Sequence, residues 1–326
     1  MRIVKNPVLC NYYLTYRCNA TCSFCDIWER PSPYAGLENI QANFADLKRL
    51  GVKIIDLTGG EPLLHRQIAE ICELAKSFGF VTTLTTNTLL YPKYAEKLQK
   101  NVDMLHFSLD SAFAQEHDLS RGVKCFDSLL KSIEIAKKLG EKPDILFTVS
   151  DQNIDQIEDV WKNIALPNHL VLILNPIFDY HAIDNRMGLS DKSLEKLAFW
   201  AKKKNIFMNE GFIALRKDGG NHIEKPICKA ASSTIVISPK NELILPCYHL
   251  EIESFPIDNQ LFNLYRSPKI QHLISQEGKY SACEGCAINC YMQPSFAVEM
   301  NKYFWKSLPS TIKYNLMKGT WKKLFF

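Results

Sequence analysis

Eight of the eleven cysteines fall into two groups whose spacing could hold metal. Cys18, Cys22 and Cys25 form a C-x3-C-x2-C triplet, and Cys228, Cys247, Cys283, Cys286 and Cys290 form a looser set toward the C-terminus. Cys10, Cys72 and Cys125 stand alone and are expected to be buried as small hydrophobes. An odd total, clustered in this way, suits thiolate ligands in a reducing compartment better than a disulfide framework. Four thiolates would close a structural site; three leave a coordination position free for a substrate or cofactor. Zinc completed by a distant histidine is the alternative for the triplet, although zinc sites commonly use C-x2-C or C-x4-C pairs.

The triplet must be positioned by the elements around it. Short β-type runs at 9–15, 53–58, 81–86, 104–109, 145–149 and 170–174 alternate with apolar residues at three- and four-residue spacing, as in Phe44-Leu47-Leu50 and Ile68-Ile71-Cys72-Ala75. Such alternation predicts an α/β fold with a parallel sheet, six βα units in all, closed by a helix over 191–204. Several of these runs are nearly all apolar, as in strands covered on both faces. The triplet directly follows the first run, at the carboxyl end of a barrel strand, where active sites sit. After Gly219-Gly220, runs at 234–238 and 243–245 flank the turn residues 239–242 and predict a hairpin. The expected organisation is a partial barrel over 1–215, a small cysteine-rich domain over 216–295 and a tail over 296–326.

With 46% hydrophobic and 23% charged residues, the 326-residue chain has the composition of a folded globular protein. No apolar run reaches the roughly 20 residues of a membrane span, and no secretory signal opens the chain. A cytoplasmic location is expected. Of the net charge of +4, the tail alone supplies +5, from six lysines and one glutamate. Basicity confined to one segment argues against a nucleic-acid footprint. In the tail, Ile312, Leu316, Thr320 and Leu324 step by four among lysines and aromatics. That pattern fits either a helix lying at a membrane surface or one packed on the barrel.

The triplet, with aromatic Phe24 before its last cysteine, resembles the signature of the radical S-adenosylmethionine (SAM) superfamily. The resemblance extends to Gly59-Gly60-Glu61-Pro62, Thr85-Thr86-Asn87 and Ser108-Leu109-Asp110, at three further successive strand ends. It implies a partial (β/α)6 barrel in which Cys18, Cys22 and Cys25 hold a [4Fe-4S] cluster and its unligated iron takes SAM. By the same resemblance, Gly59, Gly60 and Glu61 receive the methionine ammonium through backbone groups, Asn87 belongs to the SAM site, Ser108 and Asp110 bond the ribose, and Phe24 lies along the adenine. The implied chemistry is reductive cleavage of SAM to a 5′-deoxyadenosyl radical that abstracts hydrogen from an organic substrate, with flavodoxin or ferredoxin as electron donor.

The C-terminal cysteines resemble the auxiliary-cluster extension called twitch, a shortened relative of the SPASM domain, and imply a second [4Fe-4S] cluster. Cys228, Cys247, Cys283 and Cys286 are the expected ligands, Cys290 either replaces one of them or is a nearby thiol, and structural zinc is the alternative. His249 could orient a ligand. Tyr180 and His181, after the sixth strand, are candidates for proton or radical transfer at the barrel mouth. The chain begins almost at the first strand, so no N-terminal peptide-recognition domain is expected. With the basic aromatic tail, this favours oxidation or hydroxylation of a methyl group on an amphiphile such as a chlorin-type tetrapyrrole or an isoprenoid lipid. Peptide maturation is the alternative, and a non-enzymatic iron-sulfur carrier or sensor is the reading from another class.

Overall fold

The computed structural model describes residues 6–177 and 189–320. Six strands, β1 (Leu9–Thr15), β2 (Ile54–Gly59), β3 (Val81–Thr86), β4 (Met104–Leu109), β5 (Asp144–Val149) and β6 (Leu172–Pro176), pair in chain order and in parallel. Helices cross over between them. The expected strand positions hold to within two residues. The largest shift is in β6, because the Leu170 amide bonds back to the Ala165 carbonyl and the strand begins only at Leu172. The final expected helix spans Asp191–Trp200, shorter than the reading over 191–204, since the chain turns and adds a two-residue strand, β7 (Ile206–Phe207), beside β6.

Side chains on these strands alternate between two environments. In β2, Ile55 and Leu57 are buried beneath the crossover helices, whereas Asp56 and Thr58 are only partly covered. In β1, Tyr12 of the helix-facing set meets Phe44 edge-on at 5.9 Å, and its hydroxyl accepts from Asn43. The expected apolar cover on both faces is therefore continuous only on the helix side. The inner face carries the polar Asn11, Asp56, Thr58, Thr83, Thr85, His106 and Ser108 beside the apolar Tyr13, Met104 and Leu146, a mixed lumen rich in polar groups.

The hairpin forms as read, from β8 (Thr234–Ile237) and β9 (Glu242–Leu245), and β10 (Glu253–Pro256) joins β9. β8 pairs in parallel with β1, so the ten strands among the described residues make one sheet in the order β10-β9-β8-β1 through β7. The helix Asn289–Val298 then covers the lumen side, where Asn289 donates to Asn175 at 2.6 Å.

In the C-terminal helix, Lys302–Lys318, Asn301 caps the N-terminus by accepting from the Tyr303 and Phe304 amides. Tyr303, Ser307, Ser310 and Tyr314 form its buried face. Of the stripe that fits either a membrane surface or the barrel, Ile312 and Leu316 point outward, 50% and 60% exposed, while Thr320 is buried. Polar bonds decide the rotation. Tyr314 donates to Asp144 Oδ2 at 2.6 Å and Lys318 Nζ lies 2.9 Å from Asp144 Oδ1, at the amino end of β5. No helix among the described residues is long and apolar enough to cross a membrane.

Candidate functional site

Cys18, Cys22 and Cys25 line one cavity of about 210 Å³ at the carboxyl ends of β1 to β5, together with Gly59, Gly60, Glu61, Asn87, Ser108, Arg121 and Thr148. The loop carrying the thiols is pinned by backbone bonds from Thr21 and Ser23 to the carbonyls of Arg121 and Ser120. The two glycines answer to that loop. A Cβ on Gly59 would stand 2.0 Å from the Thr15 carbonyl oxygen and one on Gly60 2.2 Å from that of Arg17. Glycine is required here for the close approach of two strand-end loops, in addition to any approach by a ligand.

Glu61 is fully enclosed, and its carboxylate ties neighbouring loops together by accepting from the Leu63 amide, the Thr86 hydroxyl and the Asn87 amide. Burial pushes its pKa up to about 7 despite those bonds. Asn87 Nδ2 donates to Asn19 at 2.7 Å and approaches Cys18 Sγ at 4.0 Å. Burial also pushes the Cys18 and Cys25 thiols up to about 11, and each is raised further by Cys22. A metal centre would offset that cost by binding the thiolates.

Asp110, expected to bond a ribose, is engaged by Arg121: Nη2 donates to Oδ1 at 2.9 Å and Nε lies 2.5 Å from Oδ2, which also accepts from Ser120. Arg121 was not singled out by the sequence, where nothing marks an arginine eleven residues past the aspartate. Its Nη1 lies 3.8 Å from Cys22 Sγ and its guanidinium 5.3 Å from the Phe24 ring centre. A second cavity of about 530 Å³ adjoins, lined by Phe24, Asp110, Ser111, Glu116, Asn153 and Gln156 among others.

Cys228, Cys247, Cys283 and Cys286 also converge. Burial and then the charges of Cys286 and Cys247 push the Cys228 thiol up; burial and then Cys286 do the same to Cys283. Cys290 is exposed, with Sγ 3.9 Å from His249 Nε2. Burial holds the His249 pKa down at about 3, so the ring is neutral and fit to orient a ligand.

Three or more His, Cys, Asp or Glu ligand atoms within 4.8 Å of one another occur, among the described residues, only at His117, Asp118 and Cys125. That trio is occupied by its own bonds: His117 Nδ1 accepts from the Asp110 amide, its Nε2 lies 3.2 Å from Cys125 Sγ, and Asp118 accepts from the Cys125 and Phe126 amides. No three thiols of either cysteine cluster lie within 4.8 Å of one another. Cys10, Cys72 and Cys125 are buried as expected. Tyr180 and His181 lie outside the described residues.

Residues 12–163 match the family model of the radical SAM superfamily. An AdoMet-dependent heme synthase of Methanosarcina barkeri is 36% identical over 157 residues, 46% of this chain and 45% of the relative. The chain thus aligns with under half the length of that relative. The antilisterial bacteriocin subtilosin biosynthesis protein AlbA of Bacillus subtilis is 24% identical over 94% of this chain and 71% of its own. SuiB of Streptococcus suis, solved with S-adenosylmethionine, shares the fold over 91% of this chain and 77% of SuiB, with a TM-score of 0.70 and 18% identity. Residues 12–163 are thus similar to the radical SAM superfamily, an enzyme superfamily whose cofactors are a [4Fe-4S] cluster and SAM.

Proposed function

We propose that the protein is a radical SAM oxidoreductase in which Cys18, Cys22 and Cys25 hold the SAM-cleaving cluster. The observation that carries this reading is the single cavity that collects the three thiols, the glycine pair, Ser108 and Arg121. When bound, a [4Fe-4S] cluster supplies one electron to SAM, releasing methionine and a 5′-deoxyadenosyl radical. The chain's own groups bind and orient. Backbone groups at Gly60 and Glu61 take the methionine ammonium, and Arg121 brings a buried positive charge to its carboxylate. Ser108 bonds the ribose, with Asp110 contributing from its pair with Arg121, and Phe24 lies along the adenine in the larger cavity. Glu61 and Asn87 hold the surrounding loops in register.

Cys228, Cys247, Cys283 and Cys286 are the proposed ligands of an auxiliary [4Fe-4S] cluster, with Cys290 beside them. The electron donor is a flavodoxin or ferredoxin. A lumen rich in polar groups supports a polar substrate, and peptide maturation fits it better than a tetrapyrrole or an isoprenoid. SuiB, of like fold, has been solved with the precursor peptide SuiA. An amphiphilic substrate is the second reading, favoured by the exposed apolar stripe and lysines of the C-terminal helix, which would rest on an anionic membrane surface.

The test is anaerobic reconstitution followed by dithionite and SAM, with 5′-deoxyadenosine as readout. Cys22→Ala should abolish product while the fold persists. Wild-type turnover by that variant would refute the assignment.

A further inference from the structure

The barrel lumen holds one carboxylate that the SAM site does not use. Asp56 follows Ile55 and precedes Leu57 in β2, and both neighbours are buried against the helices, so strand alternation turns Asp56 inward. Thr58, on the same face, lines the thiol cavity, and Thr83, on the adjoining strand, donates to Asp56 Oδ1 at 2.9 Å. Among the described residues this is the only hydrogen bond to the carboxylate, and no cation pairs with it.

The other lumen charges among the described residues are spoken for. His106 and Lys318 face Asp144 at the amino end of β5, and Arg121 pairs with Asp110 at the rim. Asn11 bonds Tyr291, and Asn175 bonds Asn289, along the side covered by the C-terminal segment. Thr58, on the same strand face, lines the SAM cavity, so a substrate that enters the lumen beside that cavity would meet the carboxylate.

We propose that Asp56 anchors a cationic group of the substrate, an ammonium or a guanidinium, inside the lumen. The proposal rests on the radical SAM reading above. A carboxylate partly withdrawn from water without a counter-charge is costly, and a bound cation removes that cost. Burial lifts its pKa only to about 6, so it is mostly ionised at neutral pH and presents a negative charge to whatever enters. The neighbouring hydroxyls and amides would take the peptide-like polar groups beside the cation.

The experiment uses reconstituted holoenzyme with SAM and saturation-transfer NMR. The probes are N-acetyl-lysine methylamide and N-acetyl-norleucine methylamide, which differ in the terminal ammonium. The lysine probe should bind the wild type and the norleucine probe at least tenfold more weakly. Asp56→Asn, which keeps the acceptor for Thr83, should erase that preference with an unchanged circular dichroism spectrum, and Asp56→Ser should do the same. Equal binding of the two probes to the wild type, detectable or not, overturns the proposal, as does an undiminished preference in the variants. SAM cleavage by the wild type is measured separately on the same preparation, and its failure would strike the radical SAM reading instead.

Discussion

Asn221 Nδ2 donates to the Cys283 carbonyl at 3.1 Å, joining residues 62 positions apart at the centre of the second thiol cluster. The same nitrogen donates to Gly278, the side-chain oxygen accepts from the Ile227 and Cys228 amides, and the backbone exchanges bonds with Cys286 and Gly285. One buried amide therefore fixes the segments that carry Cys228, Cys283 and Cys286.

Replacing that amide should undo the auxiliary site first. Asn221→Ala leaves several buried amides and carbonyls unpaired, a cost of about 2–4 kcal/mol. After reconstitution, iron and sulfide should fall from about eight to about four per chain, the number held by one remaining cubane. Retention of the full complement by the variant would show that the cysteine segments position themselves.

The converse variant separates the sites. With Cys18, Cys22 and Cys25 all changed to alanine, about four irons should remain, held by the C-terminal thiols, with a cubane signature in Mössbauer spectra. Stoichiometric zinc without iron would instead assign those thiols to a structural metal.

Lys318 carries much of the attachment of the C-terminal helix. Lys318→Met should destabilise the protein by about 3–5 kcal/mol, because it strands the Asp144 carboxylate in the barrel floor. Urea midpoints measure this. Deletion from Ser310 onward would remove both Lys318 and Tyr314, so it cannot probe membrane contact without damage to the fold.

Surface substitutions probe that contact cleanly. Ile312→Ser with Leu316→Ser changes two exposed side chains and should leave the urea midpoint within about 0.5 kcal/mol. If the helix lies on anionic lipid, binding to phosphatidylserine liposomes should drop at least tenfold and wild-type binding should weaken with salt. Liposomes ignored by the wild type would remove the support for an amphiphilic substrate.

Asp56 has a signature in pH. Burial raises its pKa from 3.8 to about 6, so the folded state holds the proton more tightly than the unfolded chain. Its contribution is fully favourable below the unfolded pKa and is lost as pH rises through 6. Substrate-free Asp56→Asn should therefore be more stable than wild type at pH 7 by about 1–3 kcal/mol, with the gap narrowing toward pH 5. A gap independent of pH would show that Asp56 is paired in solution.

The cluster triplet, its strand-end location, the parallel βα order and the hairpin were legible in the sequence, because each depends on spacing over a few residues or on local periodicity. Two features were open to the same reading yet ambiguous. Asp56 stands in a run that otherwise suggested apolar cover on both faces, and the stripe of the tail helix fits either a membrane surface or the barrel. Bonds to Asp144, from residues 170 positions away and beyond, set the rotation of that helix. Arg121 at Cys22, Asn221 among the C-terminal cysteines and β8 against β1 are likewise long-range pairings. No local pattern encodes them, since the partner of a buried polar group is set by which strands and loops the closed sheet brings together.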